Sequence, residues 1–175
     1  MTIAQTDRLI LREIVAGDAP FVHDLLTDRD FLAMIGDRGV ASLVDAERAI
    51  EEKYRAGYAR HGFGMWLVEA KATGAKLGMA GLVRRDGLDH VDVGYAFLPA
   101  ARGAGYATEA VRAVLDWATA RGIAPIVAIV NAENVASRAI LTRVGLVPDR
   151  TLRLPGATRD VMLYVPAADP VRLDP

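Results

Sequence analysis

Cysteine is absent from the 175-residue chain. That excludes a disulfide framework, a thiolate zinc site and a cysteine nucleophile, and it leaves the redox compartment unread. Net charge is nearly absent too, −1 with a pI near 6.3, which argues against broad nucleic-acid binding by a basic surface. The opening MTIAQTDRLI lacks the basic segment and apolar run of a signal peptide. No apolar run approaches the ~20 residues needed to span a bilayer. His23, His61 and His90 show no metal-ligand spacing and H-E-x-x-H does not occur, so no metal is expected. Repeats, low-complexity tracts and linkers are missing as well. What remains is 52% hydrophobic content, enough for a sizeable core. The expectation is a cytoplasmic protein with one domain over residues 1–166 and a loose Pro- and Asp-rich tail over 167–175.

Periodicity then divides the chain. TDRLILREI (Thr6 to Ile14) alternates as a strand does. Asp18 can cap a helix with Pro20 in its first turn and Phe21, Val22, Leu25 and Leu26 at helical spacing. Thr27 to Val40 has no clean period and reads as a loop or broken helix. Ser42 opens a second helix, with Leu43, Ala46, Ile50 and Tyr54 on one face, that ends near Gly62. GMWLVEA and KLGMAGLVRR form a hairpin around KATG, and VDVGYAFL is a further strand that Pro99 ends. A helix follows from Thr108, with Ala110, Val111, Val114, Leu115 and Ala118 inward and a stop at Arg121–Gly122. APIVAIVN is a buried strand, Asn134 caps a helix through Val144, and LVPDRTLRL with RDVMLYV closes the chain as a hairpin. Strand, Gly-rich turn, helix and strand at the centre form a parallel pair with a right-handed crossover. The class is α+β.

The Gly-rich turn is ARGAGYATEA, Ala101 to Ala110. A dinucleotide fingerprint would need glycine at Thr108, and a P-loop would need a following Gly-Lys-Ser/Thr, so both fail. Two readings stay open. One is a tight connection that needs glycine for geometry alone. The other is an anion cradle of backbone N–H groups reinforced by the helix N-terminus.

VDVGYAFLPAARGAGYATEAVRAVLDWA resembles the acetyl-CoA-binding motif of the GNAT superfamily of N-acetyltransferases, with Arg102, Gly105 and Ala107 at the signature positions. NAENVASRAILTRVGLVPD is similar to the family's Asn-x-x-Ser helix, and TDRLILRE looks like the branch that acetylates ribosomal-protein N-termini. The resemblance covers nearly the whole chain. It implies a mixed, mostly antiparallel sheet with a central splayed parallel pair, in three layers with about four helices. It implies acetyl-CoA as co-substrate, without a metal. Backbone amides of Arg102, Gly103, Ala104, Gly105, Tyr106, Ala107 and Thr108 would hold the pyrophosphate, and the strand backbone at Tyr95, Ala96, Phe97 and Leu98 would pair with the pantetheine arm. An N–H of Phe97 or Leu98 would face the thioester carbonyl and stabilise its oxyanion. Asn134 matches the asparagine that contacts the arm; a plain helix cap is the other reading.

The catalytic groups depart from the family pattern. The tyrosine that often serves as acid, seven residues after the asparagine, is Leu141 here, and the glutamate base of the fifth strand is Ile129. Ser137 matches the serine that the ribosomal-protein branch uses as acid, or is a small polar residue of a first helical turn. Asp92 could act as base through water, or be a structural carboxylate. Asp28, Asp30 and Asp37 precede the second helix, where the family places its acceptor; they could draw in a cationic amine or form a solvated loop. Trp66 and Trp117 read as core. The expected partners are acetyl-CoA and an amine acceptor, a peptide N-terminus or a small amine. Neither nucleic acid nor membrane is expected, and a homodimer is left open. The function expected is acetyl transfer to a peptide or protein α-amine, with a small-molecule amine acetyltransferase and a non-catalytic acyl-CoA-binding module as alternatives.

Overall fold

The computed structural model describes residues 1–167; of the tail expected over 167–175, all but its first residue lies outside them. Eight strands form one sheet in the order β1-β2-β3-β4-β5-β6-β8-β7. They are β1 (Thr2–Gln5), β2 (Leu9–Arg12), β3 (Met65–Ala70), β4 (Lys76–Val83), β5 (Val91–Phe97), β6 (Ile126–Val130), β7 (Leu146–Leu152) and β8 (Val161–Pro166). Among the described residues only β5 and β6 run parallel; every other neighbouring pair is antiparallel. The helices are α1 (Ala19–Leu26), α2 (Arg29–Met34), α3 (Leu43–Ala49), α4 (Ala56–His61), α5 (Tyr106–Thr119) and α6 (Val135–Arg143). A wider turn of π type, Ile50–Arg55, joins α3 to α4 into one rod. The described residues therefore hold five helices rather than about four, the addition being the short α2. None of them is long and apolar enough to cross a membrane.

Alternation along the strands builds two cores, one on each face of the sheet. Trp66 and Val68 of β3 point to the face covered by Ala110, Val111, Val114 and Ala118 of α5. Leu67 between them points to the opposite face, where Val22 and Leu25 of α1 pack with Ala46 and Ile50. Trp66 and Trp117 meet edge to face at 4.8 Å between centroids, so both belong to packing. The layers are helix, sheet, helix.

Three expectations need correction. The N-terminal strand is shorter than Thr6 to Ile14, and a further strand, β1, precedes it and bonds to it as a hairpin. Leu43 does not join the buried face of its helix: it is the first residue of α3 and is 51% exposed, while Ala46, Ala49 and Ile50 carry the buried face. Asp18 does not cap α1 with its side chain, which turns back onto the Val15 N–H of the preceding 3-10 turn. It is 1% exposed and accepts from Arg12 Nη1 (2.7 Å) and Nη2 (2.9 Å) and from the Val15 N–H (2.9 Å). Lys76 Nζ lies 2.7 Å from Oδ1, the oxygen that Arg12 Nη2 also reaches. Arg12 continues to Glu69, at 2.6 Å. A buried charge with this many partners is worth more to the fold than a cap.

Burial pushes the Asp18 carboxyl up, but the hydrogen bonds from Arg12, Lys76 and Val15 outweigh it and hold the group far below its ordinary range. A depressed carboxyl contributes stability at pH values above its unfolded pKa, near 3.9, and loses that contribution as pH falls through the folded pKa. Asp18→Asn should therefore lower the unfolding free energy by about 3 kcal/mol at neutral pH, and the gap from the parent should narrow below about pH 4. Urea denaturation at pH 7 and pH 3 measures this. A gap of the same size at both pH values would remove Asp18 as the acid-sensitive group.

Candidate functional site

Two parallel strands that part company create the site. β5 and β6 pair only at Val91↔Ile126 and Asp92↔Val127. Beyond Asp92, β5 stays paired with β4 on its other side as far as Phe97, while β6 turns to β8. The edge of β5 that faced β6 is left open from Val93 on. The Leu98 N–H donates to the Leu77 carbonyl at 3.0 Å. With the register Gly78↔Phe97, antiparallel alternation turns the N–H groups of Tyr95 and Phe97 toward the open edge. Leu98 is thus corrected as an oxyanion donor, since its N–H is spent across the sheet. Phe97 keeps its N–H, and its carbonyl accepts from Arg102 Nε at 2.9 Å.

The Gly-rich turn follows. Pro99–Ala101 form a short 3-10 turn, and Gly103 and Gly105 both adopt φ +81°. That left-handed backbone is the reason for two glycines, because a Cβ there costs about 1–2 kcal/mol. Arg8, from the loop before β2, holds the turn in place. Its Nη1 donates to the Ala104 carbonyl (3.0 Å), and its Nε donates to Glu109 in the first turn of α5 (2.7 Å). Its guanidinium lies 4.7 Å from the Tyr106 ring centroid. The sequence offered no signal for Arg8 in this part, since its partners lie about a hundred positions away.

A cleft of about 690 Å³ runs from this turn along β5 to α6. Tyr95, Ala96, Phe97, Arg102, Gly103, Gly105, Tyr106, Ala107, Thr108, Asn134 and Ser137 all line it, whereas Leu98 and Ala104 do not. A second chamber of about 360 Å³ lies on the other side of the gap between the strands, and Asp92 and Ile129 line it. Tyr95, Ala96, Asn134 and Ser137 line both, so the chambers meet there.

At that junction Asn134 Oδ1 accepts from the Ser137 N–H at 3.0 Å and starts α6. The Tyr95 hydroxyl lies 2.6 Å from Ser137 Oγ and 3.1 Å from the Ser137 carbonyl. Burial pushes Tyr95 up to about 12 despite the Ser137 hydrogen bond, so its hydroxyl keeps its proton at neutral pH. Sequence reasoning missed this side chain: it placed Tyr95 by its backbone and found Leu141 where a tyrosine was sought. Leu141 is buried in the core, and the phenol comes from β5 instead.

Asp92 is 1% exposed. Both its oxygens accept from Arg85 Nε, at 2.9 and 3.0 Å. Burial raises its pKa, against the pull of Arg85. Asp28 and Asp30 do not face the second chamber as lures for a cation. They grip the Arg102 guanidinium, Asp28 at 2.9 Å from Nη2 and Asp30 at Nη1. Asp37 accepts from the Gly39 N–H at 2.7 Å.

Known proteins share this fold. The family model described as "Acetyltransferase (GNAT) domain" matches residues 8–147. The uncharacterized protein YkkB of Bacillus subtilis (strain 168) is 32% identical over 157 residues, covering 85% of this chain and 87% of that protein. Among solved structures, an acetyltransferase from Agrobacterium tumefaciens str. C58 shares the fold at a TM-score of 0.79 and 24% identity, covering 96% of this chain and 95% of that one. RimL, described as a ribosomal L7/L12 alpha-N-protein acetyltransferase in complex with coenzyme A, does so at 0.79 and 18% identity, covering 94% and 97%.

If the turn is a phosphate cradle, coenzyme A at 100 times its Kd should stabilise the protein by about 2.7 kcal/mol, whereas ATP or NAD should not. Gly105→Val should abolish that stabilisation, because a side chain at φ +81° distorts the turn and blocks its approach. Thermal melts with and without each ligand decide it. An undiminished shift in the variant would mean that the turn is a connection and nothing more.

Proposed function

The chain belongs to the GNAT acetyltransferase family, and on that premise we propose that it acetylates an α-amine at the N-terminus of a peptide or protein by direct transfer from acetyl-CoA. The observation that carries the reading is the junction itself. A cleft with an open strand edge and a glycine cradle meets a second chamber at two hydrogen-bonded hydroxyls. The family supplies the donor, and the neighbour RimL is described as an alpha-N-protein acetyltransferase. The modest size of the second chamber favours a small-molecule amine as the second reading.

In this reading the amides of Arg102 to Thr108 receive the pyrophosphate, and the free edge of β5 pairs with the pantetheine amides. The Phe97 N–H faces the thioester oxygen, where negative charge develops as the amine nitrogen bonds to the carbonyl carbon. Ser137 Oγ gives its proton to the sulfur as the C–S bond breaks, and the Tyr95 hydroxyl donates to that same Oγ and steadies it. Asp92, the one carboxylate lining the second chamber, takes the amine's surplus proton through water. No acetyl-enzyme forms, since the chain has no cysteine and the transfer is direct.

Ser137→Ala should lower kcat by 10²–10⁴-fold, the usual worth of a general acid, with acetyl-CoA affinity nearly intact. Tyr95→Phe should lose less, because it removes the support and not the donor. A loss below threefold in Ser137→Ala would take the serine out of the mechanism.

The weak base chooses the acceptor. An α-amine has a pKa near 7.8 and a lysine amine one near 10.4. At pH 7.5 about a third of the former is neutral, against roughly one part in a thousand of the latter. A peptide with both amines should be acetylated at its N-terminus, with the rate rising between about pH 6.5 and 8.5 as that amine loses its proton. Mass spectrometry of the product reads the site; acetylation mainly on lysine would overturn this acceptor and leave the family assignment in place.

A further inference from the structure

The second chamber is apolar over most of its wall, with Phe31, Met34, Val40 and Met79 among its lining, yet three cations line it. Among the described residues they are Arg38, Lys53 and Arg85, against the single carboxylate of Asp92. Two of the three are accounted for. Arg85 spends its Nε on Asp92, and Lys53 Nζ donates to the Arg38 carbonyl at 2.9 Å. The Arg38 guanidinium makes no hydrogen bond or ion pair among the described residues, and the terminal nitrogens of Arg85 make none either.

Arg38 is nonetheless placed with care. It lies between Gly36 and Gly39, both at positive φ. The Asp37 carboxylate closes the turn onto the Gly39 N–H, and Lys53 anchors Arg38's own carbonyl. The backbone is fixed while the guanidinium faces a chamber already positive. Two guanidinium groups line one chamber whose carboxylate is already bonded to Arg85, so the chamber lacks a counter-charge.

We propose that this counter-charge is part of the substrate: the acceptor is an amine that carries a carboxylate on a short apolar frame, its amine at the Tyr95–Ser137 junction and its carboxylate between Arg38 and Arg85. The proposal rests on the acetyl-transfer reading above and narrows it. Guanidinium forks match a carboxylate with paired, charge-assisted hydrogen bonds. Arg85, held at Nε by Asp92, keeps its two terminal nitrogens for a ligand, so Asp92 aims a binding residue as well as serving the amine. A chamber of about 360 Å³ admits a free amino acid or the first residues of a peptide with an acidic side chain. The two sources share one chemistry.

Pairs with and without the carboxylate test it, with the whole protein and acetyl-CoA, free CoA as the readout, and rates referred to the neutral amine, because a free amino acid's carboxylate raises the pKa of its own amine. One arm compares leucine with leucinamide; the other compares the amidated dipeptides Ala-Glu and Ala-Gln. In the productive arm the carboxylate member should show a kcat/KM about 10- to 100-fold higher, expressed mainly in KM, as expected of a charge-assisted pair. In Arg38→Gln the ratio should fall to about one. That position is exposed on a turn, so folding is spared, and a melt confirms it. Equal turnover of both members in both arms, or a preference that survives Arg38→Gln, overturns the carboxylate subsite and leaves acetyl transfer standing. Failure of every amine while acetyl-CoA still stabilises the protein overturns the transferase reading itself.

Discussion

The parting of β5 from β6 after two paired residues is the constraint on which the rest depends. A strand edge inside a protein carries N–H and C=O groups that must find partners. β5 resolves this asymmetrically. Its β4 side is paired from Asp92 to Phe97, which fixes the strand rigidly, and its β6 side is unpaired beyond Asp92, the edge that the proposed reading gives to a ligand. Catalytic groups need a rigid support more than they need a particular fold. Here the open edge, the Tyr95 hydroxyl and the Phe97 N–H all belong to one clamped strand, so their spacing is set by the sheet.

Ion pairs then close the cleft around that edge. Asp28 is the N-cap of α2, its carboxylate accepting from the Phe31 N–H at 3.1 Å. The same carboxylate and its neighbour Asp30 hold Arg102, while Arg102 Nε holds the end of β5. One arginine thus ties the strand end and the glycine turn to α2, whose Phe31 and Met34 line both chambers. Exposed pairs of this kind are worth little to global stability. Their effect is positional, fixing a short helix that propensity alone would not hold.

How far this could be read in advance depends on the range of the forces involved. Local rules sufficed for α5, with its inward stripe, for the cap Asn134, and for the turn at Gly103 and Gly105. They sufficed for β5 and β6 as strands and, through the crossover rule, for their parallel pairing. β1 escaped because four residues at a sheet edge carry little pattern. α2 escaped because it is short and carries little apolar stripe: Phe31 is buried in the core, Met34 lines the cleft and Leu32 is exposed. The Tyr95–Ser137 contact joins positions 42 apart, and the Arg8–Ala104 contact 96 apart. No window of sequence holds both partners of either. Arg38 and Arg85 sit in turns, where periodicity is silent, and their convergence exists only in the folded chain.

The charge of the second chamber bears on the proposed transfer, which has no strong base. Ile129 stands where the resemblance implied a glutamate, and Asp92, in the proposed role of base, is weakened by its bond to Arg85. A proton acceptor is needed only in proportion to how firmly the amine holds its proton. Cations nearby disfavour the ammonium form and lower its pKa, and this chamber has three against one anion. Binding a carboxylate between Arg38 and Arg85 would cancel one of the surplus charges and leave the chamber positive. The charges that recognise the acceptor's acidic end would thereby help to strip the proton from its amine. Recognition and deprotonation would then draw on the same two guanidinium groups, and a strong base in the strand would be redundant.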